Sequence, residues 1–229
     1  MKKKVIVLSL GGSLIVPDNV DYNFLNRFKK TILKNTKKYK FVIVCGGGSI
    51  ARKYISALRE TGKNEYYQSL AGISVTRTNA RFMNYFFDFD ASEGIPHSMK
   101  TLKKYLRKRE IVFCGALEYK SHQTSDSTSA QIASYFKCDF INLTNVSGLH
   151  DKNPLEFRNA KFIPNISWKN FDKMVQKIKF RPGQHFVLDQ TASKEIMKHK
   201  IKTYILGPDM KQLDNFLNGK KFIGSVING

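Results

Sequence analysis

Short apolar runs recur along the chain, each four to six residues long and rich in β-branched residues. They are Val5 to Leu10, Phe41 to Val44, Ile111 to Cys114, Phe140 to Leu143, Thr203 to Leu206 and Phe222 to Ile227. None alternates with polar residues, so each reads as a strand buried on both faces. Between them lie stretches with helical spacing. Asp21 is placed to cap a helix carrying Phe24, Leu25, Phe28, Ile32 and Leu33. Further helices are expected from Ser49 to about Glu60, Glu65 to Phe87, Thr101 to Lys108, Ser125 to Phe136, Ser167 to Lys177, Thr191 to His199 and Asp209 to Leu217. Strands and helices alternate, which predicts an α/β fold with a mainly parallel sheet covered on both sides. No linker, repeat or low-complexity tract interrupts residues 1–229, so a single domain is expected.

In such sheets ligands bind beyond the carboxyl ends of the strands. Three strand ends here are glycine-bearing: Gly11-Gly12-Ser13, Gly46-Gly47-Gly48-Ser49 and Gly115-Ala116. Glycine lets a phosphate approach the backbone, and a following helix adds its positive end. Two such turns on neighbouring strands suit transfer between phosphates; tight strand-to-helix packing is the alternative use of the same glycines. No Gly-Lys-Ser/Thr follows either run, so neither is a Walker A loop. Gly46, Gly48 and Ala51 approach a dinucleotide-binding pattern, but Glu65, the nearest acidic residue at about the right spacing, falls in a helical stretch. Arg52 sits one turn into the helix behind the second glycine run, where its guanidinium could fork onto a phosphate.

Composition changes this picture little. Lys plus Arg is 39 and Asp plus Glu is 18, a formal charge of +21, which favours anionic partners. No nucleic-acid recognition module is present, so nucleic acid is not the expected partner. No run approaches the roughly 20 apolar residues of a membrane span. The first apolar run is too short for a secretory signal, and Cys45, Cys114 and Cys138 are too scattered for a disulfide framework or zinc site. A reduced, cytoplasmic protein is the expectation.

Together these stretches resemble the amino acid kinase superfamily and, within it, the archaeal-type uridine monophosphate kinase. The segments are Leu10 to Ser13, Cys45 to Tyr54, Gly72 to Ala80 with its Thr-Arg-x-Asn-Ala run, Thr144 to Leu149, and Val187 to Asp189. The resemblance implies a three-layer α/β/α sandwich and a homohexamer, with ATP, Mg²⁺ and UMP as ligands. It puts the acceptor in the N-terminal part and ATP in the part from about residue 140. Gly11, Gly12, Ser13, Gly48, Arg52, Thr144, Asn145, Leu149, His150 and Asn153 would line the ATP site. Gly47, Ser69, Gly115, Ala116, Leu117, Thr124, Ser125 and Asp126 would hold UMP. Arg52 and Asp189 would act at the transferring phosphoryl group, with Asp189 near the metal.

The resemblance also exposes departures. Ser9 stands where several relatives carry a lysine, for which Lys53, Lys152 or Lys194 could substitute. Ser69 replaces an aspartate, and the acceptor loop from Gly115 to Ser125 is about two residues longer than usual. A kinase for another small phosphate or carboxylate, or a nucleotide-binding protein without efficient turnover, are the alternatives. His122 and His150 are the histidines on candidate loops, yet transfer to an anionic oxygen needs no base. Asp126 could equally be a helix cap.

Overall fold

The computed structural model describes residues 3–90, 92, 94–119, 124–177 and 187–229. In chain order the elements are β1 (Lys4–Leu10), α1 (Gly12–Ile15), α2 (Tyr22–Asn35), β2 (Tyr39–Cys45), α3 (Gly48–Glu60), α4 (Glu65–Phe86), α5 (Met99–Lys108) and β3 (Ile111–Cys114). They continue with α6 (Ser125–Phe136), β4 (Phe140–Leu143), β5 (Asn165–Ile166), α7 (Trp168–Gln176), α8 (Gln190–His199), β6 (Thr203–Leu206), α9 (Met210–Leu217) and β7 (Ser225–Ile227).

The strands form one seven-stranded sheet in the order β3-β2-β1-β4-β6-β7-β5. All pairs are parallel except β6 with β7. Alternate side chains of each strand enter two different cores. Ile6, Leu8 and Leu10 of β1, with Phe41 and Ile43 of β2, pack against Phe24 and Phe28 of α2, Met83 of α4 and Leu213 of α9. Val7, Val42, Val44 and Val112 face Leu102 of α5, Ala130 of α6, Phe171 of α7 and Ile196 of α8. Burial on both faces is why the strands are continuously apolar, and the result is the expected three-layer sandwich.

Capping follows the sequence closely. The Asp21 carboxylate accepts from Phe24 N at 2.9 Å, opening α2. Asp189 and Asp209 cap α8 and α9 in the same way. Asp126, however, does not cap α6. Thr124 is the N-cap, accepting from Asp126 N at 3.1 Å, and Ser127 completes a capping box. The last strand begins at Ser225 and not at Phe222, whose ring packs on Tyr204 and Phe216. The two-residue β5 was not expected, and Gly12–Ile15 makes a helical turn where a plain glycine loop was read.

Candidate functional site

The C-terminal ends of β1 and β2 bring the first two glycine turns into backbone contact. A Cβ placed on Gly12 would lie 2.0 Å from Gly48 N and 2.7 Å from the Gly46 carbonyl carbon. One on Gly46 would lie 2.5 Å from Gly12 N. Gly48 itself is left-handed, with φ +65°. These glycines are therefore required by close packing of two backbones, and the same packing sets two strand-end turns side by side. The Gly48 end is also the N-terminus of α3, whose first amides have no intrahelical acceptor. Arg52 lies one turn further on the same helix face, partly buried. Burial lowers the pKa of its guanidinium, while nearby Asp18 opposes that shift.

Gly11 joins this group from the β4 side. Its amide donates to Leu143 O at 3.0 Å, and a Cβ there would meet Thr144 Cα at 3.8 Å. Thr144 in turn donates to Asn145 Oδ1 at 3.3 Å. Gly11, Gly12, Ser13, Gly48, Arg52, Thr144 and Asn145 thus share one end of the sheet. The other residues expected on the ATP side do not converge so simply. Leu149 is wholly buried in the core, its amide donating to Ser225 Oγ at 2.8 Å, so its side chain serves packing. His150 is held by Gly148 O at 3.1 Å and by the Phe162 ring. Asn153 shapes a turn by accepting from Leu155 N at 3.1 Å and donating to Glu156 at 2.8 Å.

On the acceptor side the structure identifies side chains that the residue-by-residue reading left without a role. Thr76, Arg77 and Asn79 of α4 grip the glycine turns. The Asn79 amide donates to Gly46 O at 2.7 Å. Thr76 Oγ1 accepts from Ala116 N at 3.1 Å, and its methyl would lie 3.7 Å from a Cβ on Gly47. A Cβ on Gly115 would lie 2.6 Å from Arg77 N and from Thr76 Oγ1. The signal for these roles was polar residues at positions 76 and 79 on a buried helix face. Ser69 lies seven residues before Thr76, two turns along α4 and half-buried. The acceptor loop is described up to Tyr119 and again from Thr124; His122 lies outside the described residues, as does His185.

The far end of that loop ties to the carboxylates. Asp189 is buried and accepts from Thr191 N at 2.7 Å, Ala192 N at 2.9 Å and Ser127 Oγ at 2.9 Å, with Thr124 Oγ1 bonded to its other oxygen. Four donors use about all the lone pairs a carboxylate has. Asp126 lies beside it and accepts from Ser9 Oγ at 2.8 Å. Burial, reinforced by the Asp189 charge, pushes the Asp126 carboxyl up to about 7, with the Ser9 bond opposing. Of the three lysines named as substitutes for the one absent at Ser9, Lys53 and Lys194 are exposed, and Lys152 lies over the Phe157 ring. Glu65 is exposed at the start of α4 and not at a strand end, which removes the dinucleotide reading.

No helix among the described residues is long and apolar enough to cross a membrane. Residues 4–207 match the description of the amino acid kinase family. The chain is 30% identical over 224 residues to a protein named uridylate kinase from Thermococcus kodakarensis, covering 97% of this chain and 98% of that one. It is 32% identical over 223 residues to the uridylate kinase of Thermoplasma volcanium, covering 97% and 96%. The solved uridylate kinase from Archaeoglobus fulgidus superimposes with a TM-score of 0.81 at 30% identity, covering 97% of this chain and 99% of its own. A UMP kinase from Ureaplasma parvum, at 20% identity and a TM-score of 0.80, shares the fold. With the glycine turns, the three layers and these matches in agreement, the chain belongs to the amino acid kinase family.

Proposed function

We propose that the protein transfers the γ-phosphoryl group of ATP to UMP, giving UDP and ADP for pyrimidine nucleotide supply, as a cytoplasmic homohexamer. The observation that carries the reading is the backbone contact between the Gly12 and Gly48 turns, in a chain that matches uridylate kinases over nearly its whole length. Two strand-end turns in contact can hold two phosphate groups within reach of one another. In this reading Gly11, Gly12 and Ser13 cradle the ATP phosphates, with Thr144 and Asn145 toward the nucleoside. Gly47, Ser69, Gly115, Ala116, Leu117, Thr124, Ser125 and Asp126 surround UMP. Arg52 forks onto phosphate oxygens, and the α3 amides point at the same charge.

The attacking oxygen of UMP is already anionic, so no residue has to remove a proton. The protein's work is alignment and charge neutralisation, together with the exclusion of water by the acceptor loop. The carboxylates Asp126 and Asp189 offer the hard oxygen ligands that suit magnesium, and two carboxylates beside bound phosphates match how that ion is usually held. A Mg²⁺ ion held there would supply charge neutralisation at the phosphates. Asp189 would have to release Thr124 or Ser127 to serve as its ligand, because its lone pairs are engaged. A shifted acceptor preference is the competing reading, favoured by Ser69 on α4 and by the Ser9–Asp126 pair at the end of β1. Incubation with γ-labelled ATP and UMP tests the proposal: labelled UDP is expected, and its absence under conditions that bind both nucleotides overturns it.

A further inference from the structure

The start of the acceptor loop is fastened to α4 by one side chain that uses two arms. Arg77 Nε donates to Ala116 O at 3.1 Å, and its terminal nitrogen donates to Leu117 O at 2.5 Å. The preceding residue, Thr76, takes the Ala116 amide at 3.1 Å and donates to Ile73 O at 2.7 Å. Both polar groups of the Ala116 backbone are therefore held by consecutive residues of one helix. Gly115 leaves no room between them, since any Cβ would strike Thr76 and Arg77. The guanidinium is partly buried, and burial together with nearby Arg81 lowers its pKa, so these bonds form at some electrostatic cost. A planar fork can span two successive carbonyls; a lysine ammonium is a single nitrogen and cannot match that geometry.

We propose that Arg77 is a positioning residue for the acceptor: it fixes the backbone at Ala116 and Leu117 in the conformation that receives UMP, without touching the transferring phosphoryl group itself. The proposal rests on the UMP reading of the acceptor side. It ties the acceptor loop to the same helix that holds the second glycine turn through Asn79, so loop and turn share one support.

Two readouts on Arg77→Ala, Arg77→Lys and Arg81→Ala test it. In steady-state assays, Arg77→Ala is expected to raise KM for UMP at least about tenfold while KM for ATP changes less than about twofold. Hydrogen–deuterium exchange of a peptide spanning 112–119 is expected to quicken in the same variant. Arg77→Lys should keep most of both defects, and Arg81→Ala should show neither. Equal rises in both KM values, unchanged exchange, full rescue by lysine, or the same defect in Arg81→Ala each overturn the proposal. A wild-type protein inert on UMP instead overturns the kinase reading, and the exchange comparison then decides the clamp by itself.

Discussion

Gly12→Ala adds one methyl group where two backbones meet. Gly12 is not in a left-handed conformation, so alanine costs no dihedral strain and the effect is steric. The new Cβ would lie 2.0 Å from Gly48 N, 2.6 Å from Gly48 Cα and 2.7 Å from Gly46 C. Optimal contact is roughly 3.5 Å, so the two turns must part by more than about 1 Å. Backbone is all that stands there, and no flexible side chain can yield. Overpacking of this kind costs about 1–3 kcal/mol. For a chain of this size that is a loss of roughly 2–12 °C in Tm. A displacement of about 1 Å between groups that must align costs on the order of 100-fold in rate. The variant is therefore expected to fold, melt earlier, and lose about two orders of magnitude in kcat/KM for UMP. Gly62→Ala is the control. Its φ is +73° with nothing within 4 Å of a new Cβ, so it should lose about 1–2 kcal/mol of stability at unchanged kcat/KM. Differential scanning calorimetry and coupled ADP release measure both quantities. Wild-type kcat/KM in Gly12→Ala would refute the idea that contact between the turns sets the reaction geometry.

Other expectations follow from single contacts. Arg52→Ala should lower kcat/KM by at least about tenfold, ~1.4 kcal/mol, and near-normal steady-state kinetics would remove Arg52 from the site. Asn79→Ala strips the Gly46 carbonyl of its donor inside the protein, so a stability loss of about 1–3 kcal/mol is expected in thermal melts; an unchanged Tm contradicts it. Asp126 titrates near 7 when folded against an ordinary 3.8, so the folded state holds its proton more tightly. Stability contributed by that proton is full below about pH 4 and is lost as pH rises through 7. Asp126→Asn keeps an acceptor for Ser9 and carries no charge, so its Tm advantage over wild type should grow between pH 5 and pH 8. A gap independent of pH would contradict the raised pKa.

The layers were legible because both cores are local statements. A run such as Phe41 to Val44, apolar at every position, has no other economical home than a strand covered on both faces. The helix start at Asp21 was legible because a cap acts within three residues. What escaped depends on distant partners. The β5 strand is two residues long and exists through β7, some sixty positions later. Asp126 looked like a cap, yet Thr124 does that work and frees Asp126 to meet Ser9 across 117 positions. Asp189 was placed near the phosphates, and nothing local revealed that Thr124 and Ser127 occupy its oxygens. Thr76, Arg77 and Asn79 were visible as a motif, but only the fold shows that they grip two glycine-bearing turns.

The joined glycine turns are expected to serve one acceptor, UMP. The most direct test is ADP release from MgATP by the purified protein with UMP, CMP, isopentenyl phosphate or carbamate offered separately. The highest kcat/KM is expected with UMP, by a wide margin. Turnover with another acceptor and none with UMP, or ATP binding with no turnover on any of the four, would contradict it.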